Sequence, residues 1–183
     1  MIKRVEFDEI KRIDLNYFPD NRGFFVETFN RRLLKTYNIN DKFVQDNLSI
    51  SLRKNTFRGF HFQIPPFEQS KLVNVISGSI LDIFIDLRKD SETYQCYGSC
   101  ELNSENGLLY IPKGFAHGFL TLKNDTIVSY KVDNYYDTQS ERGIKFSDDF
   151  FSLDLSLSLD EIIISEKDKN LPLWVDISDE INF

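Results

Sequence analysis

The sequence predicts an all-β domain: a sandwich, jelly roll or barrel. Three observations lead there. Short apolar or β-branched runs recur at intervals of about ten residues. Turn-forming residues stand between them, and helical periodicity is scarce. Taken in order, Asp20-Asn21-Arg22-Gly23 opens with a turn and continues as a strand to Phe29. Asn30 caps a short helix that carries Leu33, Leu34 and Tyr37. Phe43–Ser51, Thr56–Phe62, Leu72–Ser77 and Ser79–Leu87 read as extended, with Gly78 as a tight hairpin turn between the last two. Strands follow at Tyr94–Leu102, Leu108–Ile111, Phe119–Leu122 and Thr126–Val132, with turns at Asn106-Gly107 and Pro112-Lys113-Gly114. After Asp148, Leu153, Leu155, Leu157 and Leu159 alternate with polar residues. A charged run, Ser165-Glu166-Lys167-Asp168-Lys169, then leads to an apolar Leu171-Pro172-Leu173-Trp174. That tail, from about residue 149, reads as a cap on one jelly-roll domain spanning 1–183, not as a second domain.

Composition narrows the function. The net charge of −7 argues against a protein that coats duplex nucleic acid, which needs basic surface. With only two histidines, any multi-histidine metal site has to use both. The N-terminal MIKRVEFDEIKR has no signal-peptide core, and the longest apolar run is broken by Asp82 and Asp86. A cytoplasmic protein without membrane association is expected, with Cys96 and Cys100 as unbridged structural thiols.

Several segments can carry chemistry. In a regular strand Arg58, Phe60 and Phe62 face one way, and Gly59, His61 and Gln63 the other, so Gly59 leaves room beside His61. A hydrogen-bonded core histidine is the competing reading. Lys71 opens the next strand, and lysines are seldom buried without a reason. Tyr130 is either core packing or a phenolic proton donor, and Asp168 either a solvated charge or a site residue. Arg22 and Glu27 fall on opposite faces of a regular strand. Gln45-Asp46-Asn47 puts three polar side chains in another strand.

Pro112-Lys113-Gly114-Phe115-Ala116-His117 has the PxGxxH spacing of the second cupin motif, and that resemblance implies a cupin-type jelly roll. The first cupin motif supplies HxH, and here the strand offers His61-Phe62-Gln63. Transition metals prefer imidazole or carboxylate to a carboxamide, so no metal site is expected.

The ordered set from Arg22-Gly23-Phe24-Phe25 to Leu171-Pro172 resembles the 3,5-epimerases of dTDP-4-dehydro-6-deoxyglucose. It includes Gln45-Asp46-Asn47, Arg58 to Gln63, Lys71-Leu72-Val73, Asp86-Leu87-Arg88, Ile111 to Phe119, Tyr130-Lys131, Tyr135-Tyr136, Glu141 to Ile144 and Ser165 to Asp168. The resemblance implies a homodimer with exchanged N-terminal strands, a dTDP-linked sugar as substrate, and no cofactor. It implies His61 as base with Asp168 as its dyad partner, Tyr130 as proton donor, and Lys71 near the C4 carbonyl. Arg22, Glu27, Gln45, Asn47, Arg58, His117, Glu141 and Lys167 match substrate-binding positions, with His117 on the phosphate side and Arg22 and Glu27 reaching a neighbouring subunit.

The residue types suit that chemistry. Protons next to a ketone are acidic because the carbanion becomes an enolate. Inversion needs a base on one face, an acid on the other, and a cation at the oxygen. Asn74 with Ser77-Gly78-Ser79, and Phe67-Glu68-Gln69, depart from the family pattern; both are expected to flank the pocket walls and to bear on sugar specificity. The alternatives are a single-centre epimerase, a metal-dependent cupin oxygenase and a non-catalytic sugar-nucleotide binder.

Overall fold

The computed structural model describes residues 4–148 and 157–183. Strand propensity decides most of it. The strands are β1 (Lys11–Ile13), β2 (Tyr17–Asp20), β3 (Gly23–Val26), β4 (Gln45–Ser51), β5 (Phe57–Gln63) and β6 (Lys71–Ser77). They continue as β7 (Ser79–Asp86), β8 (Tyr97–Asn103), β9 (Leu108–Ile111), β10 (Phe115–Thr121), β11 (Thr126–Val132) and β12 (Glu141–Gly143). Helix α1 (Arg31–Thr36) is capped by the Asn30 side chain as its sequence indicates; α2 (Glu166–Lys169) and α3 (Trp174–Ile177) lie in the tail. Two antiparallel five-stranded sheets face each other, ordered β1-β9-β6-β11-β4 and β12-β5-β10-β7-β8, while β2 and β3 form a separate hairpin. This is the jelly roll the sequence predicts.

Alternation along each strand sorts side chains into three apolar layers. Val73, Val75, Leu109, Ile111 and Val128 of the first sheet meet Ile80, Phe84, Leu102, Phe115 and Phe119 of the second. The outer face of the second sheet packs Phe57, Phe60, Ile83 and Leu120 against Phe146, Ile162, Trp174, Ile177 and Ile181. Burial of side chains this size stabilises by about 1.5–3 kcal/mol each, which holds these tail residues against the sheet. On the first sheet, Ile13, Leu72, Leu108 and Tyr110 are covered by Leu34 and Ile39. Leu153 and Leu155 of the expected alternating run lie outside the described residues.

Three expectations need correction. Gly78 makes no hairpin: β6 and β7 belong to different sheets, and the chain crosses from one to the other at its positive φ of 84°. A Cβ there would lie 2.9 Å from the Thr126 backbone, so the crossing is tight as well as left-handed. The strand expected at Phe119–Leu122 starts at Phe115, so His117 sits inside a central strand and not in a loop. The strand expected from Tyr94 starts at Tyr97, because Ser91 and Thr93 turn inward to donate to buried Asp86, which Arg88 also binds. The short strands β1, β2 and β12 went unmarked by the sequence pattern.

Candidate active site

The inter-sheet space is filled with apolar side chains at one end and left open at the other. The open end is a cavity of about 840 Å³, within the usual range for a small-molecule site. Its wall is built by the same alternation that builds the core. On β6 Lys71 points inward in phase with Val73 and Val75, on β11 Tyr130 follows Val128, and on β10 His117 lies between Phe115 and Phe119. The edge strand β4 contributes Gln45 and Asn47, and β12 contributes Glu141.

Strand β5 departs from regular alternation, with consequence. His117 pairs with His61 and Phe119 with Arg58, so two residues of β5 oppose the single Gly118. This bulge shifts the phase of Arg58. The sequence expectation put Arg58 with Phe60 and Phe62. Instead Phe57, Phe60 and Phe62 pack outward on the tail, while Arg58, His61 and Gln63 all line the cavity. Gly59 is required at the bulge: its φ is +138°, and a Cβ would lie 2.5 Å from the Gly118 Cα.

His61 Nε2 is 2.8 Å from Asp168 Oδ1. A carboxylate only accepts, so in the neutral ring the proton is on Nε2 and Nδ1 keeps its lone pair. Asp168 is delivered by the short helix α2, where the Ser165 hydroxyl caps its backbone N–H at 3.1 Å. Its neighbours Glu166, Lys167 and Lys169 are exposed, but Asp168 is buried, so the solvated-charge reading fails for this residue. Burial pushes the Asp168 carboxyl up, but the hydrogen bond and charge of His61 and the Gly59 and Ser165 donors outweigh it and hold the pKa below its ordinary value.

Lys71 is buried and donates to the His61 carbonyl at 3.0 Å. Burial lowers its pKa to about 8, with Asp82 pulling the other way. Tyr130 is a partly buried phenol whose pKa is raised by burial first, so it stays protonated at neutrality; its hydroxyl makes no hydrogen bond among the described residues. At the open end Lys167 Nζ reaches both Glu141 oxygens at 2.8 Å, and the Tyr136 hydroxyl donates to Glu141 Oε2 at 3.0 Å. Gln45 donates to Asn47 at 2.9 Å, and Arg58 to the Ser51 hydroxyl at 3.1 Å.

The cavity thus gathers His61, Asp168, Tyr130, Lys71, Gln45, Asn47, Arg58, His117, Glu141 and Lys167. Arg22 and Glu27 are not among them. Arg22 is exposed on the β2–β3 hairpin with Asp20 at 2.6 Å, and Glu27 accepts from the Asn30 side chain at 3.0 Å. Asn74 and Ser77–Ser79 also lie off the cavity wall, since Asn74 falls on the outward phase of β6; Gln69 does line it.

Sequence reasoning missed Tyr136 as a cavity residue and Asp82 as the partner of His117, whereas Gln63, expected on the His61 face of its strand, does line the cavity. Asp82 lies against His117, and its signal was an acid inside the apolar run Ile80-Leu81-Asp82-Ile83-Phe84. Gln63 buttresses the wall: its amide donates to Phe67 and Tyr135 carbonyls and accepts from the Asp137 N–H.

A family model described as dTDP-4-dehydrorhamnose 3,5-epimerase matches residues 4–176. The dTDP-4-dehydrorhamnose 3,5-epimerase of Sinorhizobium fredii is 41% identical over 165 residues, covering 90% of this chain and 84% of the relative. That of Methanothermobacter thermautotrophicus is 43% identical over 160 residues, covering 86% of this chain and 85% of the relative. Among solved structures, the Legionella pneumophila dTDP-6-deoxy-D-glucose-3,5-epimerase in complex with dTDP-4-keto-L-rhamnose superimposes with a TM-score of 0.89 at 36% identity, covering 100% of this chain and 98% of that one.

Proposed function

Because the chain belongs to the dTDP-4-dehydrorhamnose 3,5-epimerase family, we propose that its cavity inverts C3 and C5 of dTDP-4-dehydro-6-deoxy-D-glucose by paired proton transfers. The observation that carries this reading is the placement of His61 on one sheet and Tyr130 on the other, around one cavity. A sugar ring between them presents one face to a base and the other to an acid.

His61 Nδ1 takes the proton from a carbon next to the C4 ketone. The electron pair moves to the carbonyl oxygen as an enolate, which the Lys71 ammonium stabilises. The enolate carbon then takes a proton from Tyr130 on the opposite face, so the centre inverts. Asp168 fixes the His61 tautomer and stabilises the imidazolium that forms. His61 returns its proton to solvent, and the Tyr130 phenolate regains one. No electron leaves the substrate, so no redox cofactor takes part in the step. Arg58 and Lys167 are cations at the open end suited to the diphosphate, with Gln45, Asn47 and Glu141 offering polar contacts.

The chain acts in this reading as a homodimer. Phe18, Phe24 and Phe25 are exposed on the β2–β3 hairpin, which pairs with no other strand among the described residues. A second copy is the occupant this hairpin fits, with Arg22 and Glu27 carried to the partner's cavity. Mixing Arg22→Ala with His61→Ala chains should then restore activity in heterodimers, which contain one intact site. Among the described residues no helix is long and apolar enough to cross a membrane. The free Cys96 and Cys100 support a reducing, cytoplasmic setting.

Turnover in deuterated water tests the central reading: deuterium should appear at both C3 and C5. Label at one centre identifies a single-centre epimerase, and label at neither overturns the mechanism.

A further inference from the structure

Behind the cavity wall, against His117, lies a carboxylate that the steps above do not use. Asp82 is fully buried in the middle of β7, in phase with Ile80 and Phe84, so it points between the sheets. A buried charge is costly unless it is paired and hydrogen-bonded. Asp82 meets His117 Nε2 with both oxygens, at 2.9 and 3.0 Å.

His117 is buried as well; burial, aided by the charge of Lys71, outweighs the opposing charge of Asp82 and holds its pKa below the ordinary value. That lowering favours the neutral ring. Its one ring proton must lie on Nε2, because a carboxylate only accepts. Nδ1 is left as a bare lone pair with no hydrogen bond among the described residues. Such a nitrogen accepts from a hydroxyl and has nothing to give a phosphate oxygen. That places His117 with the sugar, in contrast to the phosphate-side role implied by the sequence resemblance.

Lys71 depends on the same carboxylate. It shares the cavity with His61 and Arg58 of β5, His117 of β10, Tyr130 of β11, Glu141 of β12 and Asp168 of α2. The charge that counters its burial is that of Asp82.

Building on the epimerase reading, we propose that Asp82 is a positioning residue for the reaction, fixing His117 as a hydroxyl acceptor and keeping Lys71 cationic at the enolate oxygen. Asp82→Asn keeps the shape and removes the charge. In the native protein kcat/KM should fall as pH rises through about 8, the value to which burial lowers the Lys71 ammonium. In Asp82→Asn this alkaline limb moves to lower pH, because losing the anion makes the ammonium harder to hold. A uniform loss of rate with the limb unmoved, or no loss, overturns the proposal. Nitrogen NMR of the native protein gives a second reading that does not depend on the variant folding. Protonated Nε2 with bare Nδ1 on His117 is expected, and the opposite tautomer or a doubly protonated ring overturns the proposal. Absence of deuterium incorporation by the native protein would defeat the epimerase reading, whereas the His117 tautomer is read without turnover.

Discussion

The pairs His61–Asp168 and His117–Asp82 have the same chemical parts and different surroundings. In each, Nε2 meets a carboxylate, at 2.8 Å in the first and 2.9 Å in the second. The His61 side chain is 35% exposed and that of His117 only 7%. The difference bears on which of the two can serve as the proposed base. An imidazole that must collect and release a proton needs access to substrate and solvent, and His61 is the more exposed of the two cavity histidines. One held neutral in the interior can orient a ligand but is poorly placed to cycle protons.

The largest expected effect comes from removing the accessible pair's base. His61→Ala should lower kcat by about 10²–10⁴-fold, the usual worth of a positioned base. Deuterium exchange and product formation should fall together, because both begin with proton abstraction. If exchange survives at the native rate, His61 is not the base and the contrast between the two pairs collapses.

Tyr130→Phe should have the next effect and a different signature. Abstraction by His61 needs no phenol, so solvent exchange persists while inverted product is lost. Equal loss of exchange and inversion would show that the two sheets do not divide the proton transfers between them.

Much of this arrangement was legible from the chain. Period-two alternation located β4 to β7 to within a residue or two, and β9 and β11 as they stand, because strands buried on one or both faces must alternate or run apolar. The crossing at Gly78 was not legible, since a glycine between strands looks the same whether the next strand pairs or changes sheets. Neither was the bulge at Gly59, which depends on the partner strand having one residue fewer. It shifts Arg58 to the cavity without altering composition. Asp168 was readable only through family resemblance, because a Glu-Lys-Asp-Lys run looks solvated until a one-turn helix turns a single member inward.

A smaller effect separates the pairs by stability. The Asp168 carboxyl titrates below its ordinary value in the folded chain, although burial opposes this. Its contribution to stability is therefore complete above the unfolded pKa and is lost as pH falls through the folded one. Asp168→Asn should flatten the acid side of a plot of Tm against pH. An unchanged acid side would mean that the His61 contact does not favour the ionised form.

The smallest effect belongs to the rim. Lys167 and Glu141 meet at 2.8 Å, but the lysine side chain is 61% exposed. Water screens such a pair, so breaking it costs at most about 1 kcal/mol, and Tm should drop by no more than about 2–4 °C. Alanine keeps the helical propensity of α2, so Asp168, the next residue, should stay in place. Lys167→Ala should then raise KM with kcat unchanged, the mark of a contact made equally in the ground and transition states. A fall in kcat comparable to that of His61→Ala would mean that Lys167 controls the seating of Asp168. The division between a preorganised floor and an adjustable rim would then have to be redrawn along α2.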